Sequence, residues 1–337
     1  MSFVQRSTRQ TSTFVQVKFP PVPLIQISKL ESGMKKRYFV WSIRDRFKTY
    51  ENALTEIGHM PTRDLSQAGF CFYDIENERK WKVIKPPHRR NIPYFIYPHS
   101  PTSHVWWDSM YPAWPVVTNF VNGEGQKKVM ETYSYPYPIT VIGWTSSDIL
   151  PFTPTSKVKT LLLAPMHPLL SRGYPKEEGE YNPIVLQKLL DLEKHYDKLI
   201  IRYGGDLASH NFGNLLHHPK VQLQTAQYTK ASSIQSILDS NVDVIISTST
   251  HGYTAVALGK PTLFFYEDLP IHEWNMYPKH QSEYKPFRRF PINFDGTWDS
   301  IMAASVYNEK VESWKKLFIG EPFDKKLFID TVRKNIT

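Results

Sequence analysis

Short runs of β-branched and aromatic residues alternate along the chain with segments of helical spacing, and the alternation runs through twice. Arg37–Ile43 is a dense β-type run. The polar stretch Arg44–Thr49 reads as a loop, and Tyr50–Ile57 as a helix stopped by Gly58. Gly69–Tyr73, Tyr94–Tyr97, Trp114–Val121 and Pro138–Ile142 read as further strands, with a helix opening at Gly123. The proline- and aromatic-rich segment His99–Trp114 reads as an ordered functional loop, because a structureless stretch of ~15 residues is uncommon without a task. Leu150–Ser156 has the composition of a linker.

After it the pattern restarts. Lys159–Ala164 is a strand and Ile184–Tyr196 a helix. Lys198–Tyr203 is a strand running into Gly204 and Gly205, and Val221–Thr225 another. Ser232–Leu238 is a short helix with Ser232 and Ser233 as cap candidates. Val242–Ser247 is a strand, Thr248–Gly252 a turn, Tyr253–Leu258 a helix and Thr262–Tyr266 a strand. Helices follow around Trp298–Tyr307 and Lys326–Lys334. Strand–helix alternation of this kind predicts parallel sheets. The fold class is therefore α/β, with two Rossmann-like doubly wound domains facing a cleft. The expected division is 1–153, 154–300, and C-terminal helices over 301–337 that pack back toward the first domain. Such sheets bind ligands beyond the carboxyl ends of their strands.

Length agrees, since 337 residues at about 150 per domain gives two domains. Forty-one Lys and Arg against 32 Asp and Glu leave a net charge of +9. The single cysteine, Cys71, excludes an internal disulfide framework and a cysteine-based zinc site. No apolar run reaches the ~18–20 residues of a spanning helix, and Met1–Lys18 has no apolar core of a secretory signal. The expectation is a cytoplasmic protein, in host cytoplasm if the source is viral. Basic residues interleave with aromatics around Lys35–Phe39, around Arg44, Arg46 and Lys48, at Arg89 and Arg90, and at Arg288 and Arg289. This suits a polyanion (nucleic acid, anionic glycan or lipid surface) and equally a plain solvated basic surface.

The sharpest chemical signal is Ser247–Pro261. A strand ends, Thr248, Ser249, Thr250, His251 and Gly252 turn the chain, and a helix opens with Tyr253 and Thr254. Free amide hydrogens and the positive helix end there suit a phosphate or diphosphate; a merely capped helix start has the same pattern.

With the Leu258–Pro261 "Leu-Gly-Lys-Pro" and the apolar strand after it, this segment resembles the donor-binding domain of nucleotide-diphosphate-dependent GT-B glycosyltransferases, over Thr160 to about Asp268. It is similar also to CDP-glycerol glycerophosphotransferases and UDP-sugar 2-epimerases. The first half resembles the acceptor domain: Tyr38–His59 with its "Ile-Gly-His", Tyr94–His99 leading to a catalytic-loop histidine, and Asn119–Trp144.

The resemblance implies a nucleotide-diphosphate sugar as donor substrate, no metal requirement, and transfer to an acceptor hydroxyl. His99 is then the general base, with His104 and Asp108 as rivals in the same loop; those three could alternatively hold a metal, which such enzymes generally do without. His167, Arg202, Gly204, Gly205 and the Thr248–Thr254 turn would take the diphosphate, and Glu267 and Asp268 the ribose or sugar hydroxyls. Arg202 could instead pair with Asp206, and Glu267–Asp268 could be a solvated turn. Thr254 stands where the family often has an acidic residue that partners the donor ribose or sugar. No paired-glutamate motif of retaining enzymes is present, and that absence favours inversion. The expected acceptor is a hydroxylated base in DNA. A surface glycan or wall polymer is the alternative, and a non-catalytic nucleotide-binding relative the third reading.

Overall fold

A computed structural model of the chain describes residues 36–41, 44–74, 92–98, 116–132, 137–164, 181–204, 217–226, 230–239, 241–247, 250–264 and 291–336. Strands β1 (Arg37–Trp41), β2 (Met60–Thr62), β3 (Phe70–Asp74), β4 (Tyr94–Tyr97), β5 (Val116–Val121) and β6 (Ile139–Val141) form one sheet in the order β2-β1-β3-β4-β5-β6. Strands β7 (Thr160–Ala164), β8 (Lys198–Gly204), β9 (Val221–Ala226), β10 (Val244–Ser247) and β11 (Thr262–Phe264) form a second, in the order β11-β10-β7-β8-β9. Every pairing in both sheets is parallel. Two doubly wound α/β sheets therefore stand where the sequence pattern puts them.

The central strands are buried throughout, all five residues of β7 and all four of β10. That is the demand of a parallel sheet covered on both faces, and it explains the unbroken apolar runs. Asp243 Oδ2 accepts from the amides of Lys159 and Thr160, both at 2.8 Å, and so fixes where β7 enters beside β10.

The first sheet builds its core from aromatic rings. Tyr38, Phe70, Phe72, Phe95, Tyr97 and Phe120 are fully buried with Phe47 and Tyr50 of helix α1 (Arg44–Glu56). Much of the aromatic content is thus core. Tyr38 and Phe47, which the sequence interleaves with basic residues, lie inside and offer no stacking surface. The Arg44–Thr49 loop of the sequence reading is a correction: those residues are the first half of α1. Their spacing explains it, since Phe47, Tyr50, Ala53 and Leu54 recur at helical intervals and drop into one core.

Helix α2 (Glu124–Thr132) follows β5, and helices α3 (Tyr181–Asp191), α4 (Lys230–Leu238) and α5 (Thr250–Ala257) belong with the second sheet. Three helices close the chain. Ile301 and Ala304 of α6 (Trp298–Ser305) enter the core of the second sheet. Phe328, Val332 and Ile336 of α8 (Lys325–Ile336) enter the core of the first. Between them lies α7 (Glu309–Phe318), capped by Asn308, whose side chain accepts from the amides of Lys310 and Val311. Its Trp314 and Phe318 join Trp144, Tyr253, Val256 and Phe264 in a cluster drawn from both halves.

The Leu150–Ser156 segment is strapped down. Leu150 and Thr153 donate to the carbonyls of Ala257 and Gly259, and Thr155 to Ser305. Lys315 Nζ donates to the Leu150 carbonyl at 2.6 Å. Gly259 has φ +72°, and a Cβ there would lie 1.9 Å from the Pro151 carbonyl oxygen. Only glycine fits that contact.

Candidate donor site

In the second sheet, β7 has β8 on one side and β10 on the other, and the strand order reverses between β7 and β10. Parallel sheets open a ligand crevice at such a point, beyond the carboxyl ends. Ser247, the last residue of β10 and fully buried, ties the two ends together: its Oγ donates to the Ala164 carbonyl at 3.0 Å.

Arg202 stands near the end of β8 and is only 6% exposed. Its Nη1 donates to Ser236 Oγ on α4 and, at 3.2 Å, to His251 Nδ1 on α5. Ser233, one turn before Ser236, lies with its Oγ 2.7 Å from the same His251 Nδ1. The tautomer follows from these partners. A guanidinium only donates, so Nδ1 is the bare nitrogen, Ser233 donates to it, and the ring proton sits on Nε2, 3.5 Å from Ser236 Oγ. Ser236 Oγ donates onward to the Ser233 carbonyl at 2.9 Å. Burial first, and the Arg202 charge second, push the His251 pKa down to about 3. The imidazole is neutral at working pH.

Arg202 is therefore a buried cation held between Ser236 in the second half of α4 and His251 in the first turn of α5. Both helices point their positive ends toward the carboxyl edge of the sheet. With His251 neutral, the guanidinium and the start of α5 bring positive potential together, an arrangement that favours an anion.

Thr250, His251 and Gly252 lie inside α5, whereas the sequence reading places them in the preceding turn. A Cβ on Gly252 would come within 2.6 Å of the Phe264 ring, so the missing side chain seats α5 directly on β11. Tyr253 packs its ring against Phe264 and Trp314 in the cluster between the halves. Thr254 is buried. Gly204 closes β8, in register with Ala226. Ser232 and Ser233, read as cap candidates, are inside α4, which opens at Lys230.

His99, His104, Asp108, His167, Gly205, Thr248, Ser249, Glu267, Asp268, Arg89, Arg90, Arg288 and Arg289 lie outside the described residues, as does Asp206. Arg44 and Arg46 are in the first turn of α1, and Lys48 Nζ is 3.1 Å from Glu51 Oε2 on the same helix. Among the described residues no three His, Cys, Asp or Glu side chains are grouped to hold a metal ion. Sequence reasoning missed Ser233 and Ser236 as functional partners. Two signals were available: an arginine inside the apolar strand Lys198–Tyr203 needs polar partners, and serines three apart share a helix face.

No family model matches the chain, and no curated protein sequence matches it. Solved structures do. A variant of the wall teichoic acid polymerase TagF matches 90% of this chain and 89% of its own, at 12% identity and TM-score 0.50. The fold is GT-B. The kitacinnamycin glycosyltransferase aligns over 89% of this chain and 98% of its own, at 11% identity and TM-score 0.46. TarM of S. aureus, in complex with fondaparinux, alpha-GlcNAc-glycerol and UDP, aligns over 80% of this chain at 12% identity and TM-score 0.43. This chain spans 55% of the length of TarM.

Proposed function

We propose that this GT-B protein is a glycosyltransferase that moves a sugar from a nucleotide-diphosphate donor to an acceptor hydroxyl. The observation that carries the reading is the buried Arg202 guanidinium, set with a neutral His251 at the carboxyl edge of the second sheet, where α5 begins. As the bond from the anomeric carbon to the diphosphate oxygen breaks, negative charge grows on the departing diphosphate. A fixed cation and helix-end amides in a buried corner are what that step needs. His99 takes the proton of the acceptor hydroxyl while its oxygen attacks the anomeric carbon from the opposite face, so the configuration inverts. The missing paired glutamates support inversion.

For the acceptor, the reading is a hydroxyl of a surface glycan or wall polymer. The likeness to TagF, a wall teichoic acid polymerase, supports it, and glycerophosphate from CDP-glycerol belongs in the donor screen for the same reason. A second reading, a hydroxylated base in DNA, is favoured by the net charge of +9. Against it stands the burial of Tyr38 and Phe47, which removes two rings from any base-stacking platform.

The test is a thermal-shift panel of UDP-, GDP- and CDP-sugars, CDP-glycerol and the free nucleoside diphosphates. A ligand that binds only the folded state raises the melting temperature. At least one donor raises it, and no shift with any of them sinks the proposal. Duplex DNA affinity that falls steeply with salt would move the acceptor to DNA; no duplex binding at low salt removes that reading.

A further inference from the structure

The proposed reaction leaves His251 without a part, although it lies within hydrogen-bond reach of the cation that the reaction uses. We infer that His251 is a positioning residue: its bare Nδ1, oriented by Ser233, holds the Nη1 corner of Arg202 in place for a diphosphate. This inference rests on the donor reading and assigns the binding of that site to a particular hydrogen bond.

The geometry leaves little freedom. Nη1 carries two hydrogens, and two acceptors stand before it, Ser236 Oγ and His251 Nδ1. The acceptors come from two different helices, α4 and α5, so the guanidinium is pinned between them. Ser233 then fixes the imidazole, with its Oγ 2.7 Å from Nδ1. All three groups on the chain from Ser236 through Arg202 to His251 are buried, at 5%, 6% and 8% exposure. In such surroundings a fork held at one corner is a rigid recognition element, whereas one that can swing is not. A cationic histidine would repel Arg202 and could not accept its hydrogen, so the device requires the neutral ring.

The alternative is that His251 itself grips phosphate. Its Nδ1 is engaged by Ser233 and Arg202, and its Nε2–H faces Ser236 Oγ, which makes the indirect role the one the contacts support.

The experiment measures binding of uridine, cytidine, guanosine and adenosine diphosphates by titration calorimetry. The tightest binder is then compared with its own nucleoside in wild type, H251L, H251N and H251Q. Asparagine places an acceptor oxygen near the Nδ1 position, and glutamine places its amide near Nε2. H251L weakens the diphosphate by about tenfold or more, the scale of one charge-assisted hydrogen bond, and leaves the nucleoside unchanged. H251N stays within about threefold of wild type, and H251Q follows H251L. A merely structural role would not track the phosphates. Should H251L fail to fold, the comparison of H251N with H251Q decides, because the two amides differ in where the oxygen lies. Equal affinities in those two, or an H251L as tight as wild type, overturn the inference while the donor reading stands. A wild type that binds no nucleoside diphosphate overturns both.

Discussion

Tyr253 of α5 lies stacked on Trp314 of α7, ring centroids 5.5 Å apart and planes 17° from parallel. Two residues before Tyr253, the same helix carries His251. The cluster around the stack also takes in Trp144, which follows the last strand of the first sheet, and Phe264, which ends the second. Helix α7 packs on α2 as well. A disturbance at Trp314 thus reaches the helix that holds Arg202.

Trp314→Ala removes a large buried side chain from this junction, and the cost on the scale of such truncations is about 3–5 kcal/mol. Trp314→Phe keeps a ring and costs less. The expected outcome is a clear fall in melting temperature for the alanine variant, with weaker donor binding at temperatures where it is still folded. Unaltered melting of W314A would mean that the junction bears no share of the stability.

His251 also sets a pH dependence. In the unfolded chain an imidazole titrates near 6.5, and in the folded protein near 3. Between those values the unfolded state binds the extra proton, so stability is greatest above the unfolded pKa and declines as the pH falls below it. The slope approaches ~1.4 kcal/mol per pH unit for this one group. His59, whose pKa burial also lowers, adds in the same direction. Melting temperatures measured from pH 8 to 4 should fall more steeply for wild type than for H251N, which has no proton to take up. Parallel curves would count against a neutral buried His251.

His99 is the proposed base, and removing it should separate chemistry from binding. His99→Ala is expected to lower turnover by about 100-fold or more, in the range of a lost general base, with donor affinity nearly intact. Single-turnover rates with a saturating donor provide the check. Retained turnover would pass the role to His104 or Asp108.

Most strands were readable because inner parallel strands are buried on both faces and so appear as short apolar runs, whereas the edge strand β2, with two of its three residues exposed, carries no such run. Tyr94–Tyr97 and Lys159–Ala164 needed almost no adjustment. Helix starts were not readable. Arg44–Thr49 looked like a loop because its polar residues outnumber the one ring, Phe47, that anchors it. Thr250–Gly252 looked like a turn because threonine and glycine are poor helix formers, and packing on β11 overrides that preference. Helix α7 escaped because only three of its residues are buried, Trp314, Lys315 and Phe318. At the site, Arg202 and His251 were recognisable as candidates from a strand end and a helix start. Their mutual contact, with Ser233 and Ser236, depends on how β8, α4 and α5 pack, and spacing along the chain carries no trace of it.

The same override yields the last prediction. On helix propensity alone Gly252→Ala should stabilise the protein, since glycine costs about 1 kcal/mol relative to alanine inside a helix. The packing argues the other way. The new methyl would sit 2.6 Å and 2.9 Å from two atoms of the Phe264 ring and 3.1 Å from Ser247 Cβ. Phe264 is itself buried against Tyr253 and so has little room to withdraw. Overpacking of a filled core costs about 1–3 kcal/mol, which equals or exceeds the propensity gain, so G252A should melt lower than wild type. It should also loosen nucleoside diphosphate binding, because α5 must shift to admit the methyl and takes His251 with it. Phe264→Leu in the same chain frees the space, and the double variant should regain part of the loss in a thermodynamic cycle. A G252A protein that melts higher than wild type would show that α5 does not rest on β11.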